Sequence, residues 1–201
     1  MRMRTHVYVR TRMRAPMNSM YPIRPMTQAQ GAKPQAPKEP KSNAKALKAA
    51  KAAFGKRTQV RKSGVHGKGV YAIAPIAKGE VILEYKGETI SWDEALRRHP
   101  HDPSDPNHTF YFSLDSGDAI DANVGGNSAR WINHSCKPNC EADEENGRVF
   151  IKALRDLKPG EELFYDYGLT IDEPYTKKLK KEYECRCGAK NCRGTMLSPK
   201  R

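Results

Sequence analysis

All five cysteines of this chain fall after residue 135, at Cys136, Cys140, Cys185, Cys187 and Cys192. A secreted disulfide framework spreads its cysteines and uses them in pairs, so an odd, late cluster argues against one. The clustering points instead to metal in a reducing compartment. Two of the five sit in Arg130-Trp131-Ile132-Asn133-His134-Ser135-Cys136-Lys137-Pro138-Asn139-Cys140, between a Gly-Gly pair and an acidic turn. This stretch reads as a loop, because Asn and Ser favour turns and Pro138 disfavours a helical Lys137. Polar loops are where sites tend to sit, although a surface turn with incidental cysteines fits the stretch taken alone.

The length of 201 residues allows one ordinary domain with appendages. No apolar run approaches the roughly 18 residues a membrane span needs. The N-terminus is basic but lacks the apolar core of a signal peptide, so no membrane role and no export by that route are expected. The net charge of +13 is misleading until it is located. Residues 1–58 hold fourteen Lys/Arg against Glu39 alone, whereas residues 59–201 hold twenty-two of each sign. Composition therefore gives no basic face to the folded body.

Residues 1–57 lack the apolar content to offset chain entropy, and disorder is the expectation for them. Within them, Asn43 to Arg57 places Leu47, Ala50 and Phe54 at helical spacing, a marginal helix in isolation. The tail serves as a solvated leader or, alternatively, makes weak contact with nucleic acid.

From about Val60 the texture becomes β-rich. Gly67-Lys68-Gly69 leads into a strand at Val70–Ile73, and Val81, Leu83 and Tyr85 alternate as strand residues do. Ser91-Trp92-Asp93-Glu94 has capping-box spacing and starts a short helix through Arg98. His99 to His108 is a Pro-rich loop. Strands are expected at Thr109–Asp115, Ala119–Ala122, Arg148–Leu154 and Glu161–Tyr165, with a hairpin turn at Asn146-Gly147. Many short strands joined by turns make a mostly-β domain.

Four pieces stand in order: Gly67-x-Gly69, Asn133-His134-Ser135-Cys136-x-Pro138-Asn139, Glu161-Glu162-Leu163-Phe164-Tyr165-Asp166-Tyr167 and Cys185-x-Cys187-x4-Cys192. Together they resemble the SET-domain protein-lysine methyltransferases with a post-SET zinc segment. The resemblance implies a SET-type fold of small β-sheets with a knot-like C-terminal crossing. It divides the chain into a tail (1–57), a SET domain (58–168), a linker (169–180) and a post-SET segment (181–197). It also implies S-adenosylmethionine as methyl donor and a lysine-bearing protein or peptide, a histone among the candidates, as partner.

Lysine methylation poses a problem that can be stated without the family. Only a neutral amine can attack, and with a free pKa near 10.4 about one lysine in a thousand is neutral near pH 7.4, a cost of about 4 kcal/mol. A narrow aromatic channel and a nearby cation both disfavour the ammonium. By resemblance, Tyr167 is the catalytic tyrosine and Tyr85 lines the lysine channel. Tyr165 falls at a Phe/Tyr switch, where a tyrosine favours mono- over dimethylation. The loop His66-Gly67-Lys68-Gly69 matches the family's backbone contacts to the cofactor, where glycines permit close approach. Asn133 and His134 match its cofactor-contacting pair, with Arg130 preceding them. Phe110 departs from the pattern by replacing a tyrosine, and Tyr111 is expected on the opposite face of its strand.

The resemblance also implies that Cys185, Cys187 and Cys192 join Cys136 in a closed structural zinc site, with Cys140 left over. Disulfides are the alternative. The competing function is a catalytically weak SET-like module that binds a peptide, its basic tail reaching nucleic acid or chromatin. The expected location is intracellular and cytoplasmic by default, with a nucleus, a chromosome or delivery to a host cell also open.

Overall fold

The computed structural model describes residues 57–99, 109–171 and 173–200. The expectations for residues 1–56, including the start of the helix at Asn43, and for the loop at 100–108 lie outside the described residues.

Four small sheets make up the fold. Strands β1 (Thr58–Lys62) and β2 (Lys68–Ala72) form an antiparallel hairpin around the Gly67-x-Gly69 loop. Strands β3 (Val81–Tyr85), β9 (Arg148–Ala153) and β8 (Cys140–Glu145) form an antiparallel sheet with β9 central. Strands β4 (Glu88–Ile90), β6 (Ala119–Asp121) and β5 (Tyr111–Ser113) form another, with β6 central. Strands β7 (Asn133–His134) and β10 (Phe164–Tyr165) pair in parallel.

Local chemistry accounts for most boundaries. Asn146 and Gly147 both have positive φ, 54° and 72°, as the tight turn between β8 and β9 requires. In β9 the inward residues Val149, Ile151 and Ala153 are buried and alternate with outward ones. The acidic turn expected after Cys140 is in fact strand β8. Asp143 and Glu145 share an outward face there, and each grips the Lys152 ammonium at 2.6 Å. Helix α1 (Trp92–Arg98) begins as expected, with the Ser91 hydroxyl accepting from Glu94 N–H. Arg98 then reaches Glu88, Glu94 and the fully buried Asp121, fastening the helix to its sheet. The strands expected at Thr109–Asp115 and Glu161–Tyr165 shorten to three and two residues.

The second shortening has a visible cause. Asn139 presents its side chain as if it were backbone: Nδ2 donates to Glu162 O at 2.7 Å and Oδ1 accepts from Phe164 N at 2.8 Å. Ser135 N–H and Asn139 N–H bond the carbonyls of Tyr165 and Phe164. Residues 133–139, expected as a loop, are thus laced against 162–165 and contain a strand.

The main core gathers Val70, Ile76, Phe112, Ile132, Ile151, Leu157 and Leu163, all essentially inaccessible. A second, smaller cluster joins Leu169, Ile171, Leu179, Tyr183 and Leu197, built around helix α2 (Lys177–Glu182). Tyr167 packs against both.

Candidate active site and metal centre

A cavity of about 560 Å³ opens between the β1–β2 loop, the Asn133–His134 strand and the C-terminal segment. This lies within the range of small-molecule sites. Its lining includes His66, Gly67, Lys68, Tyr85, Phe110, Arg130, Asn133, His134, Tyr165 and Tyr167, so the structure brings together all the expected donor- and lysine-site residues except Gly69.

Three tyrosines form one aromatic wall. The Tyr165 and Tyr167 rings are 5.0 Å apart, and Phe112 bridges Tyr85 (5.3 Å) and Tyr165 (6.4 Å). The Tyr167 hydroxyl donates to Ile132 O at 2.9 Å, and the Tyr85 hydroxyl donates to Phe110 O at 3.0 Å. Burial pushes all three phenols well above the ordinary tyrosine value. These groups stay neutral at physiological pH, so the wall offers hydroxyls and ring faces but no base.

The rim opposite is cationic and aromatic. Lys68 Nζ sits 4.4 Å above the Trp131 ring and the Arg130 guanidinium 4.7 Å from it, while Phe110 meets Trp131 edge-on at 4.9 Å. Phe110 thus keeps a packing role without a hydroxyl. Tyr111 packs among Ile90, Ala95 and Ala119 and also contributes to the cavity lining. Arg130 donates to Ala122 O at 2.9 Å, and its buried Nε has no hydrogen-bond partner among the described residues. That leaves a buried donor at the cavity for a bound acceptor.

Asn133 and His134 are committed within the protein. Asn133 Nδ2 donates to Lys68 O (2.9 Å), to Glu162 Oε1 (3.1 Å) and, more weakly, to His66 O (3.3 Å). His134 Nδ1 accepts from Tyr167 N–H at 3.1 Å, and burial pulls its pKa down to about 4, the Asp166 carboxylate only partly opposing this. The imidazole is therefore neutral with its proton on Nε2, which lies 3.4 Å from Cys136 Sγ and donates to it. The 3.5 Å approach of Asp166 to Nδ1 is then proximity rather than an ion pair. Both residues keep only their remaining edges and main chain for a ligand.

Gly69, expected to let a ligand approach, is not among the residues that line the cavity. A Cβ at Gly69 would lie 2.1 Å from Glu162 Oε1.

The sulfur atoms of Cys136, Cys185, Cys187 and Cys192 all lie within 4.8 Å of one another, with Cys136 3.6 Å from Cys185 and 3.9 Å from Cys192. Zinc–sulfur bonds of about 2.3 Å in a tetrahedron require sulfurs about 3.8 Å apart, so the four thiols fit zinc. All five cysteines are free, and these separations are far too long for the disulfide alternative. Burial raises the Cys136 and Cys185 thiols, whereas at Cys187 backbone donors and neighbouring thiols outweigh burial and bring the pKa to about 6. Cys140 is wholly buried in the main core, its pKa pushed up to about 12 by burial, and is not part of the four-thiol group.

Four contributors escaped the sequence reading: Trp131, Glu162, Asp166 and Arg193. Arg193 holds Asp166 through two bonds, 2.5 and 2.9 Å, and its N–H donates to Cys136 Sγ. Burial would raise the Asp166 carboxyl, but Arg193 and the Gly168 N–H hold it below the ordinary value. The metal cysteines and the Tyr165-Asp166-Tyr167 segment are thereby tied together. Arg193 follows directly on Cys192, the only signal that could have marked it.

Comparison with known proteins gives a consistent set of matches. The model of the SET domain matches residues 67–168. The histone-lysine N-methyltransferase set-2 of Caenorhabditis elegans is 38% identical over 144 residues, covering 69% of this chain and 9% of that protein. The H3 lysine-4 specific histone-lysine N-methyltransferase of Kluyveromyces lactis is 38% identical over 138 residues, 66% of this chain and 13% of that one. The human histone-lysine N-methyltransferase 2B is 37% identical over 138 residues, 67% and 5% respectively. The chain thus spans between 5% and 13% of the length of these relatives. Among solved structures, ctPRC2 in an autoinhibited conformation bound to S-adenosylmethionine matches with a TM-score of 0.51 and 35% identity, over 56% of this chain and 15% of that one.

Proposed function

The chain belongs to the SET-domain family, and from that membership we propose that it is an S-adenosylmethionine-dependent protein-lysine N-methyltransferase acting on a histone or another basic protein. The observation that carries the reading is the single cavity in which the Tyr85–Tyr165–Tyr167 wall faces the Gly67 loop and the Asn133–His134 strand. The bound donor would supply an electrophilic methyl on a sulfonium. The protein supplies position and dryness. Apolar rings disfavour a lysine ammonium by desolvation and so favour the neutral, attacking amine. Tyr167, its hydroxyl donating a hydrogen bond to Ile132 O, stays a neutral phenol, offers its oxygen as an acceptor to the site and takes no proton itself. Arg130, Lys68 and Trp131 would embrace the donor on the other side.

The four thiols of Cys136, Cys185, Cys187 and Cys192 would hold a structural zinc, which closes the C-terminal segment over the cavity. The proposed division is a basic tail at 1–57, a catalytic SET domain at 58–168, a linker at 169–180 and a post-SET segment at 181–197. Tyr165 narrows the wall beside Tyr167, and monomethylation should dominate over dimethylation. A histone substrate implies action at chromatin, and a role for the tail in nucleic-acid contact would appear as salt-sensitive binding lost on deletion of 1–57.

The test is labelled S-adenosylmethionine with histones and a cell lysate, comparing wild type with Tyr167→Phe. Loss of the hydroxyl should lower the rate by roughly a hundredfold. Equal labelling would refute the role of Tyr167. No labelling by either protein would favour the peptide-binding module. Mass spectrometry of the product should find mainly monomethyl-lysine, and a trimethyl product would refute the assignment of Tyr165.

A further inference from the structure

The two glycines of the Gly67-x-Gly69 loop are small for different reasons. Gly67 has φ +47°, a backbone conformation side chains rarely adopt, and a Cβ there would meet nothing within 4 Å. Gly69 does not need a glycine backbone, since it is absent from the positive-φ residues. Its missing Cβ would fall 2.1 Å from Glu162 Oε1, 2.7 Å from Glu162 Cδ and 3.1 Å from Ser63 Cβ. The space left by Gly69 is occupied by a carboxylate of the protein itself.

That carboxylate is not free to swing aside. Glu162 Oε2 accepts from the Tyr71 hydroxyl at 2.7 Å, and Oε1 accepts from Asn133 Nδ2 at 3.1 Å. The Glu162 carbonyl is held in turn by Asn139 Nδ2, and Tyr71 and Glu162 form an isolated antiparallel bridge. Asn133 spends the same amide group on the carbonyls of Lys68 and His66, which flank Gly67. One side chain thus sets the orientation of the amide that holds the loop, without itself lining the cavity.

We propose that Glu162 is a positioning residue for the donor pocket, fixing the Gly67 loop through Asn133, and that Gly69 is glycine to admit Glu162 rather than a ligand. This rests on the donor-binding reading above and extends it to residues that do not touch the donor. A side chain with two acceptor oxygens suits the place, because each can take one of the two donors. Loss of the loop's support should weaken donor binding while leaving the aromatic lysine wall intact.

A double-mutant cycle on the full chain tests it, with S-adenosylmethionine binding by calorimetry and thermal melting of the ligand-free proteins as separate readouts. Glu162→Ala should raise the donor Kd and KM roughly tenfold while kcat at saturating donor falls less than about threefold. Glu162→Gln, which keeps an acceptor for Asn133 and a polar partner for Tyr71, should restore binding to within about threefold. Gly69→Ala alone should raise the Kd about as much as Glu162→Ala and lower the melting temperature. Added to Glu162→Ala, it should change either readout little, since only Ser63 Cβ then crowds the new methyl. A Gly69→Ala effect of equal size in both backgrounds would overturn the proposal, as would a kcat loss that matches the KM rise. If the wild type binds no S-adenosylmethionine, the functional reading fails instead. The melting cycle still decides the contact, since non-additive melting temperatures support it and additive ones overturn it.

Discussion

Two of the packed clusters among the described residues are stabilised by different means. The main core holds nineteen buried residues spread over all four sheets, enough apolar surface to fold by burial. The C-terminal cluster holds five, around a helix of six residues whose exposed faces are mostly lysine. A cluster that small lies below what a hydrophobic core supports alone. The four cysteines stand where the apolar residues run short, and metal ligation would do there what burial does elsewhere. The comparison teaches that the site was placed at the seam. Tyr167 packs against both clusters, so its position reports on both.

The largest expected effect comes from removing the metal. Chelation, or Cys185→Ser, should release residues 177–197 to limited proteolysis and lower methyl transfer at least roughly a hundredfold, while the main core still melts cooperatively within a few degrees of its original temperature. Melting of the whole chain in one lowered transition would break the comparison. Cys140→Ala serves as control and should leave the metal content per chain unchanged. Next come the two cores themselves. Leu163→Ala should cost about 2–5 kcal/mol of global stability in urea. Leu179→Ala should leave that midpoint nearly in place and show instead as faster amide exchange around α2. The smallest effect is expected at Arg193, whose partner Asp166 is about one-third exposed. Arg193→Ala should remove about 1–2 kcal/mol of coupling between the two halves. It should loosen Tyr167 without releasing zinc, measurable as lost activity at full metal occupancy.

Much of the larger half was legible because its chemistry is local. Ser91 capping α1, the Asn146-Gly147 turn and the alternation in β9 all follow from residues a few positions apart. The tyrosines and cysteines were marked by the family resemblance, and the meeting of the tyrosines in one cavity and of four thiols beside it is a three-dimensional fact that spacing alone does not contain. Glu162, Asp166 and Arg193 were missed for one physical reason. A charged residue in a turn-rich segment is most often solvated, and only the fold brings Glu162 under Gly69 or Arg193 onto Asp166. Strand β8 was missed because consecutive acids argue against a strand until Lys152 appears across the sheet.

The parallel pairing of β7 with β10 has a kinetic consequence. Its two strands are separated by about thirty residues, all of β8 and β9 lying between them. Such a contact gains nothing until the intervening sheet has formed and the loop entropy has been met, so it closes late. The Asn139 side chain and His134 Nδ1 find their partners only at that moment, and Arg193 later still. During synthesis the other three sheets can assemble while the cavity still lacks Tyr165 and Tyr167. The cavity is thus completed as the last act of folding, and a partly made chain has none.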